Sequence, residues 1–289
     1  MSRQYKRLYK LTITPTDGEA RVVSELRVSF EITKSVLSYP NRAKIIIYNP
    51  SPNTLASLQK KFTKISLDAG YEGAIRLIFK GEIRNVFQSK ISTDRLITVY
   101  AGDGEQDWQN SSFNKTFSEN VAMSNVIKEV MQSFKETTIG ILEGLPDIAD
   151  KLMGQTLSGS SKAILDEFAE EYGFDWSIQD GEIITTPFDE PLSSLEAVLI
   201  NSASGMVGSP ILTEIGADVI TLLNPRLVPN TAFQIESVGA DIAIGNLFFR
   251  NIRKTSAEGI YKVQETMFKG DSREGVWLSS VKGRNIGAQ

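Results

Sequence analysis

The sequence predicts a mainly β fold of the α+β class: two small antiparallel β-barrel-like domains flanking a helix–hairpin insert. Three observations carry this expectation. Apolar residues alternate with period two through much of the first and last hundred residues. The middle of the chain switches to helical spacing. A short ordered series of residues in the first β region recurs in the last. A chain of 289 residues is long enough to bury more than one core. The expected divisions are 1–110, 111–195 and 196–289.

In the first region, Leu8 to Thr14 and Arg21 to Ile32 alternate as strands with one buried face, the second through Val23, Leu26, Val28, Phe30 and Ile32. Arg42 to Tyr48 is a third strand. Asn-Pro-Ser-Pro-Asn after it forces a loop, which leads into a short helix over Thr54 to Lys60. Lys64 to Tyr71, Ile75 to Ser89 and Arg95 to Ala101 complete the region, with Gly81 expected to bend or bulge its strand.

The insert opens on Thr116-Phe117-Ser118-Glu119, which has the spacing of a capping box. Val121, Met123, Val126, Ile127, Val130, Met131 and Phe134 follow at helical intervals. A second amphipathic helix runs from Ser161 to Tyr172, with Gly173 as its C-cap. Asp180-Gly181 between two strand-like runs is a hairpin signal. Thr137 to Gly159 gives no clear pattern. In the last region the expected strands are Val207 to Ile215, Ala217 to Leu223, Ala232 to Ser237, Leu247 to Lys254, Gly259 to Lys269 and Val276 to Gly283.

The recurrence pairs Phe79 to Arg84 and Leu96 to Asp103 with Phe248 to Arg253 and Tyr261 to Asp271. Each series ends a strand in Gly-Asp. Either two strand pairs share common features, or two related β domains surround the insert.

Composition removes many functions. Net charge is −4, which argues against general nucleic-acid binding. The basic arm Arg3, Lys6, Arg7 and Lys10 reads as a solvated first strand or as an arm toward a neighbouring subunit. No run approaches the roughly 20 apolar residues of a membrane helix, and no apolar run follows the basic start, so neither a membrane anchor nor a secretory signal is expected. Cysteine and histidine are both absent. That excludes disulfides, thiol catalysis, Ser-His-Asp triads and histidine-ligated metal sites.

Few residues remain as candidate chemistry. Gly154 to Gly159 has the glycine spacing of a phosphate loop, but Ser160 stands where the phosphate-binding lysine belongs, and Lys162 comes two places late. Asp166, Glu167, Glu170 and Glu171 read as the solvated face of their helix, although paired carboxylates can hydrolyse glycosides without histidine. Glu143, Asp147 and Asp150 show no calcium-loop spacing. Trp176 and Trp277 read as core. Trp108 reads as an anchor for the insert or as part of a subunit interface. No catalytic, cofactor-binding or metal-ligating residue is assigned, and no cofactor is expected.

Gly259 to Gly283, with Tyr261, Val263, Gly270, Asp271 and Trp277, resembles the closing hairpin of bacteriophage tail baseplate hub proteins of the late control protein D type. Phe268-Lys269 stands where that family usually has histidine before Gly-Asp. Lys162 to Ile184 resembles the family's helix–hairpin insert. The resemblance implies a non-enzymatic structural protein of the virion, made in the host cytoplasm. It implies a homotrimer of two tail-tube-like domains per chain, forming a pseudo-hexameric ring. Such a ring would join a tail tube or distal tube protein to a central spike, contact other baseplate proteins and pass DNA through its lumen. The alternatives are a tail-associated glycoside hydrolase and the hub or adaptor of a related contractile injection system.

Overall fold

The computed structural model describes residues 6–146, 155–237, 239, 241–242 and 257–286. Most of the described strands belong to one sheet. From the first region come β1 (Arg7–Thr14), β2 (Arg21–Val23), β3 (Val28–Ser35), β4 (Arg42–Tyr48), β5 (Lys64–Tyr71), β6 (Arg76–Ile91) and β7 (Asp94–Gly102), with helix α1 (Pro52–Leu58) between β4 and β5. The last region supplies β13 (Val198–Ile200), β14 (Ile211–Leu212), β15 (Gly216–Leu222), β16 (Ala232–Ile235), β17 (Asp241–Ile242), β18 (Gly259–Asp271) and β19 (Trp277–Asn285). The insert holds α2 (Glu105–Asn110), β8 (Ser112–Phe117), α3 (Met123–Met131), β9 (Thr138–Leu142), β10 (Gln155–Ser160), α4 (Ser161–Tyr172), β11 (Phe174–Gln179) and β12 (Glu182–Pro187).

The main sheet runs β17-β14-β15-β19-β18-β3-β4-β7-β6-β5-β1-β2, with β16 and β13 joined at β18. Nearly all of its ladders are antiparallel; β13–β16 and β14–β17 are parallel. The ladder between β18 and β3, Glu265↔Ser35 to Asp271↔Ser29, unites the first and last regions. The sheet curls over its cores without closing into a barrel. The expectation of antiparallel β structure is met, while two separately closed barrels are not seen.

Three apolar clusters hold the chain together. The first takes Leu11 and Ile13 from β1, Ile32 from β3, Ile45 and Ile47 from β4, Leu67 from β5 and Val99 from β7. Phe268 and Trp277 from the last region also enter it. The second lies in the insert, where Val126, Ile127 and Val130 of α3 meet Leu165 and Phe168 of α4 and Trp176 and Ile178 of β11. The third joins Val219, Phe233, Ile235, Tyr261, Val263 and Val281. Alternation creates these cores: β1, β3 and β4 each bury every second residue.

Several expectations are corrected. Arg21 to Ile32 is two strands, because the chain turns at Ser24–Arg27; the Leu26 carbonyl accepts from the Tyr9 hydroxyl and Arg27 pairs with Asp271. Thr116 lies in β8, bonded to Thr156 of β10, and α3 begins only at Met123 with Ala122 as N-cap, so there is no capping box at Thr116. Gly81 sits in regular register opposite Ile65; the irregularities of β6 fall between its pairings with Leu67 and Asp68, and between Ile83 and Asn85. Gly81 instead lets β6 pass close to the Gly102 carbonyl and the Phe79 ring. Val207 to Ile215 contributes only the two-residue β14. Leu247 to Lys254, and with it the second Phe248–Arg253 copy of the recurrence, lies outside the described residues. Helix α4 and its Gly173 C-cap at φ 73° occur where expected.

Candidate functional site

Buried charge fastens the insert to the sheet. Lys262 of β18 is fully buried, and its ammonium donates to Asp175 Oδ2 at 2.8 Å, Thr186 Oγ1 at 3.0 Å and the Pro187 carbonyl at 2.7 Å. The Phe188 carbonyl adds a longer contact at 3.3 Å. Burial pulls the Lys262 pKa down and pushes that of Asp175 up, while the attraction between the two opposes both shifts. Lys34 of β3 is also buried and donates to Asp180 Oδ2 at 2.6 Å. Asp180 and Gly181 form the tight β11–β12 turn at φ 57° and 89°, as an Asp-Gly hairpin requires. Asp103 at the end of β7 accepts the backbone N–H groups of both turn residues. Asn41 donates to the Ile178 carbonyl at 2.8 Å. Burial, reinforced by the Asp180 carboxylate, pushes the Asp103 pKa up to about 7; Lys34 and the hydrogen bonds it accepts oppose this.

The other Gly-Asp pair works at the surface. Asp271 Oδ1 accepts the backbone N–H groups of Arg273 and Glu274, and Oδ2 binds Arg27 at 3.0 Å. Gly270 leaves room for two rings, since a Cβ there would lie 2.5 Å from both Phe30 Cζ and Trp277 Cε3.

The main sheet turns one broad face to solvent. The ladder registers place side chains in rows across it. One row runs Asn85, Tyr100, Lys44, Glu31, Lys269, Leu278. Another runs Ser35, Glu265, Lys282, Asp218. Phe87 stands on the same face, its ring edge-to-face with Tyr100 at 5.9 Å. This face also has an open edge. β5 accompanies β6 only as far as Glu82. Among the described residues, no strand pairs with the outer side of Arg84–Ile91. Arg95, opposite Lys90, turns its backbone N–H and carbonyl away from β6 to Asn49. Alternation then aims the backbone groups of Val86, Gln88 and Lys90 outward.

A family model described as baseplate hub gp41 matches residues 8–248, most of the chain. The chain belongs to the baseplate hub gp41 family. It is thereby a structural component of the phage tail baseplate, part of the virion. No curated protein matches the chain by sequence. Solved structures share the fold at low identity. The 43 kDa tail protein of prophage MuSo2 from Shewanella oneidensis aligns at a TM-score of 0.62 with 11% identity, covering 96% of this chain and 98% of that one. A tail protein from Neisseria meningitidis MC58 aligns at 0.61 with 9% identity, covering 97% of each chain. The E. coli c3393 protein, a component of the type VI secretion system described as similar to the T4 tail proteins gp27 and gp5, aligns at 0.64 with 10% identity. That alignment covers 96% of this chain and 76% of that one.

The residues singled out in the sequence have structural places in this hub-family chain. The described part of the glycine loop, Gln155–Ser160, is strand β10, and Ser161 begins α4. Asp147 and Asp150 lie outside the described residues. Asp166 accepts the Trp176 indole N–H at 2.9 Å and pairs with Lys162 at 3.3 Å. Glu143 binds the backbone N–H and hydroxyl of Ser193. Among the described residues, no group of three or more Asp or Glu could hold a metal ion, and no helix is long and apolar enough to cross a membrane. Trp277 packs in the first core and Trp176 in the insert core. Trp108 is half-buried against the insert core, 5.7 Å from Tyr39, with the Lys162 ammonium 4.7 Å from its ring. It therefore anchors the insert to the β3–β4 loop.

Sequence reasoning missed Lys34, Lys262, Asp103 and Asp175. One signal was available: a lysine between Tyr261 and Val263 in an apolar run, where burial requires a partner.

Proposed function

We propose that this chain is the hub subunit of a trimeric, pseudo-hexameric ring that joins the tail tube, or a distal tube protein, to the central spike. The observation that carries this reading is the β3–β18 ladder. It sets the first and last β regions side by side in one sheet, as neighbouring units would sit around a ring. Each chain then offers β6-β7-β4-β3-β18-β19-β15-β14 as a continuous ribbon with one open face. A ribbon with unlike ends closes by head-to-tail contacts, and three copies carrying two similar regions each would present sixfold features to the tube and threefold features to the spike. In this reading the chain divides at 1–110, 111–195 and 196–289. The Arg84–Ile91 edge forms the seam between subunits, and the open face lines the channel through which DNA passes. The ring would be assembled from chains made in the host cytoplasm, contact other baseplate proteins and carry out no catalysis of its own.

Light scattering across a dilution series tests this reading. The expected mass is three times the 31.9 kDa chain. Gln88→Pro removes an outward N–H from the open edge and is expected to give monomers with unchanged circular dichroism. A chain that stays monomeric even with tube and spike proteins present would overturn the ring.

A further inference from the structure

We infer that the open sheet face is a charge-cancelled, non-adhesive surface for double-stranded DNA, on which each ladder lysine is held by a carboxylate from the adjacent strand. The inference deepens the channel reading above and rests on it for the identity of the passing polymer.

The registers carry the argument. Lys44 and Lys269 flank Glu31 directly on either side, one from β4 and one from β18. The Lys269 ammonium lies 3.2 Å from the Glu31 carboxylate. In the second row the order is reversed, with Lys282 of β19 between two carboxylates, Glu265 of β18 and Asp218 of β15. Its ammonium lies 2.8 Å from Glu265. The first triplet carries one net positive charge and the second one net negative charge, so the two cancel. Arg42 follows the same pattern: across the side-chain-free Gly102, its next neighbour in the row is Glu82.

Exposed ion pairs of this kind add little to stability. Their placement matters more for the field of the surface. A duplex binds unspecifically by neutralising phosphates with free lysine and arginine, which releases counterions. A lysine already opposed by a carboxylate one strand away, well within the roughly 8 Å Debye length at physiological salt, presents almost no net field to a phosphate. The apolar residues between the rows, Ile46, Met267 and Ile220, have no hydrogen-bonding groups for a phosphate backbone. A uniformly basic face would grip a moving duplex, and this face does not.

The test removes the cancelling charges. Glu31→Gln with Glu265→Gln frees lysines in both rows. A matched control, Glu72→Gln with Glu129→Gln, makes the same change in net charge but frees Lys6 and Lys115, which lie off this face. Binding of a short fluorescent DNA duplex is followed by anisotropy from about 25 to 200 mM salt, with the mass of each protein measured alongside. The wild-type chain and the control are expected not to bind. The face variant is expected to bind, with log Kobs falling against log salt by about 0.9 for each lysine freed. Binding by the wild type, equal binding by the control, or no binding by the face variant would each overturn the inference. The mass measurement separates these outcomes from a failure of the ring itself.

Discussion

Replacing Lys262 with methionine should release the insert from the sheet while leaving the sheet formed. The substitution keeps the length of the side chain and removes the ammonium. Asp175 then loses its partner, and its side chain is only 17% exposed. The Pro187 carbonyl and Thr186 hydroxyl lose a donor as well. Breaking a buried pair from one side costs about 3–5 kcal/mol. Partial exposure of Asp175 places this case near the lower end, about 3 kcal/mol. The loss should be local, because Lys262 joins β18 to the β11–β12 hairpin whereas the sheet ladders do not depend on it. Hydrogen exchange followed by mass spectrometry measures this directly. Amides of 174–187 should exchange about 100-fold faster, and those of β4 and β7 should be unchanged. Adding Asp175→Asn removes the stranded charge and should recover part of the protection. If Lys262→Met changed exchange in the hairpin by less than about twofold, the ammonium would not be what holds the insert down.

Asp103 predicts a pH dependence. Its folded pKa, about 7, lies above the ordinary value of 3.8, so the folded state binds the extra proton. The stabilisation is complete below about pH 4, is lost as pH rises toward 7, and changes no further above that. At 1.36 kcal/mol per pKa unit the total is on the order of 4 kcal/mol at most. Urea midpoints between pH 4 and 8 should therefore show a downward component that Asp103→Asn abolishes; an identical profile in that variant would remove Asp103 as the cause. Gly270→Ala should cost about 1–3 kcal/mol by forcing a methyl group against Phe30 and Trp277, and calorimetry would detect it as a lowered Tm. An unchanged Tm would mean that those rings can move aside freely.

Much of this architecture was legible in the residues alone. Alternation through Leu8–Thr14 and Arg42–Tyr48 marks strands with one buried face, because the side-chain period of a strand is two. Helix α4 declared itself by its apolar stripe and its glycine stop, and the β11–β12 hairpin by Asp-Gly. These signals are local, set by the conformational preferences of a few neighbouring residues. The absence of cysteine and histidine narrowed the chemistry in the same direct way. The resemblance of the closing hairpin to phage hub proteins pointed to the family that the match over residues 8–248 established.

Other features depend on contacts between distant parts of the chain. The false capping box at Thr116 satisfies every local rule, yet β10 arrives 40 residues later and draws Thr116 into a strand. Lys34 and Lys262 read as ordinary strand lysines until the insert folds over them and makes each the buried partner of an aspartate. The charge rows exist only because β3 meets β18 across more than 200 residues of sequence. The sequence determines which residues alternate, cap and turn, because those preferences act over a few peptide units. Which strand edge meets which, and therefore which charges face each other, is decided by burial and hydrogen bonding summed over the whole sheet.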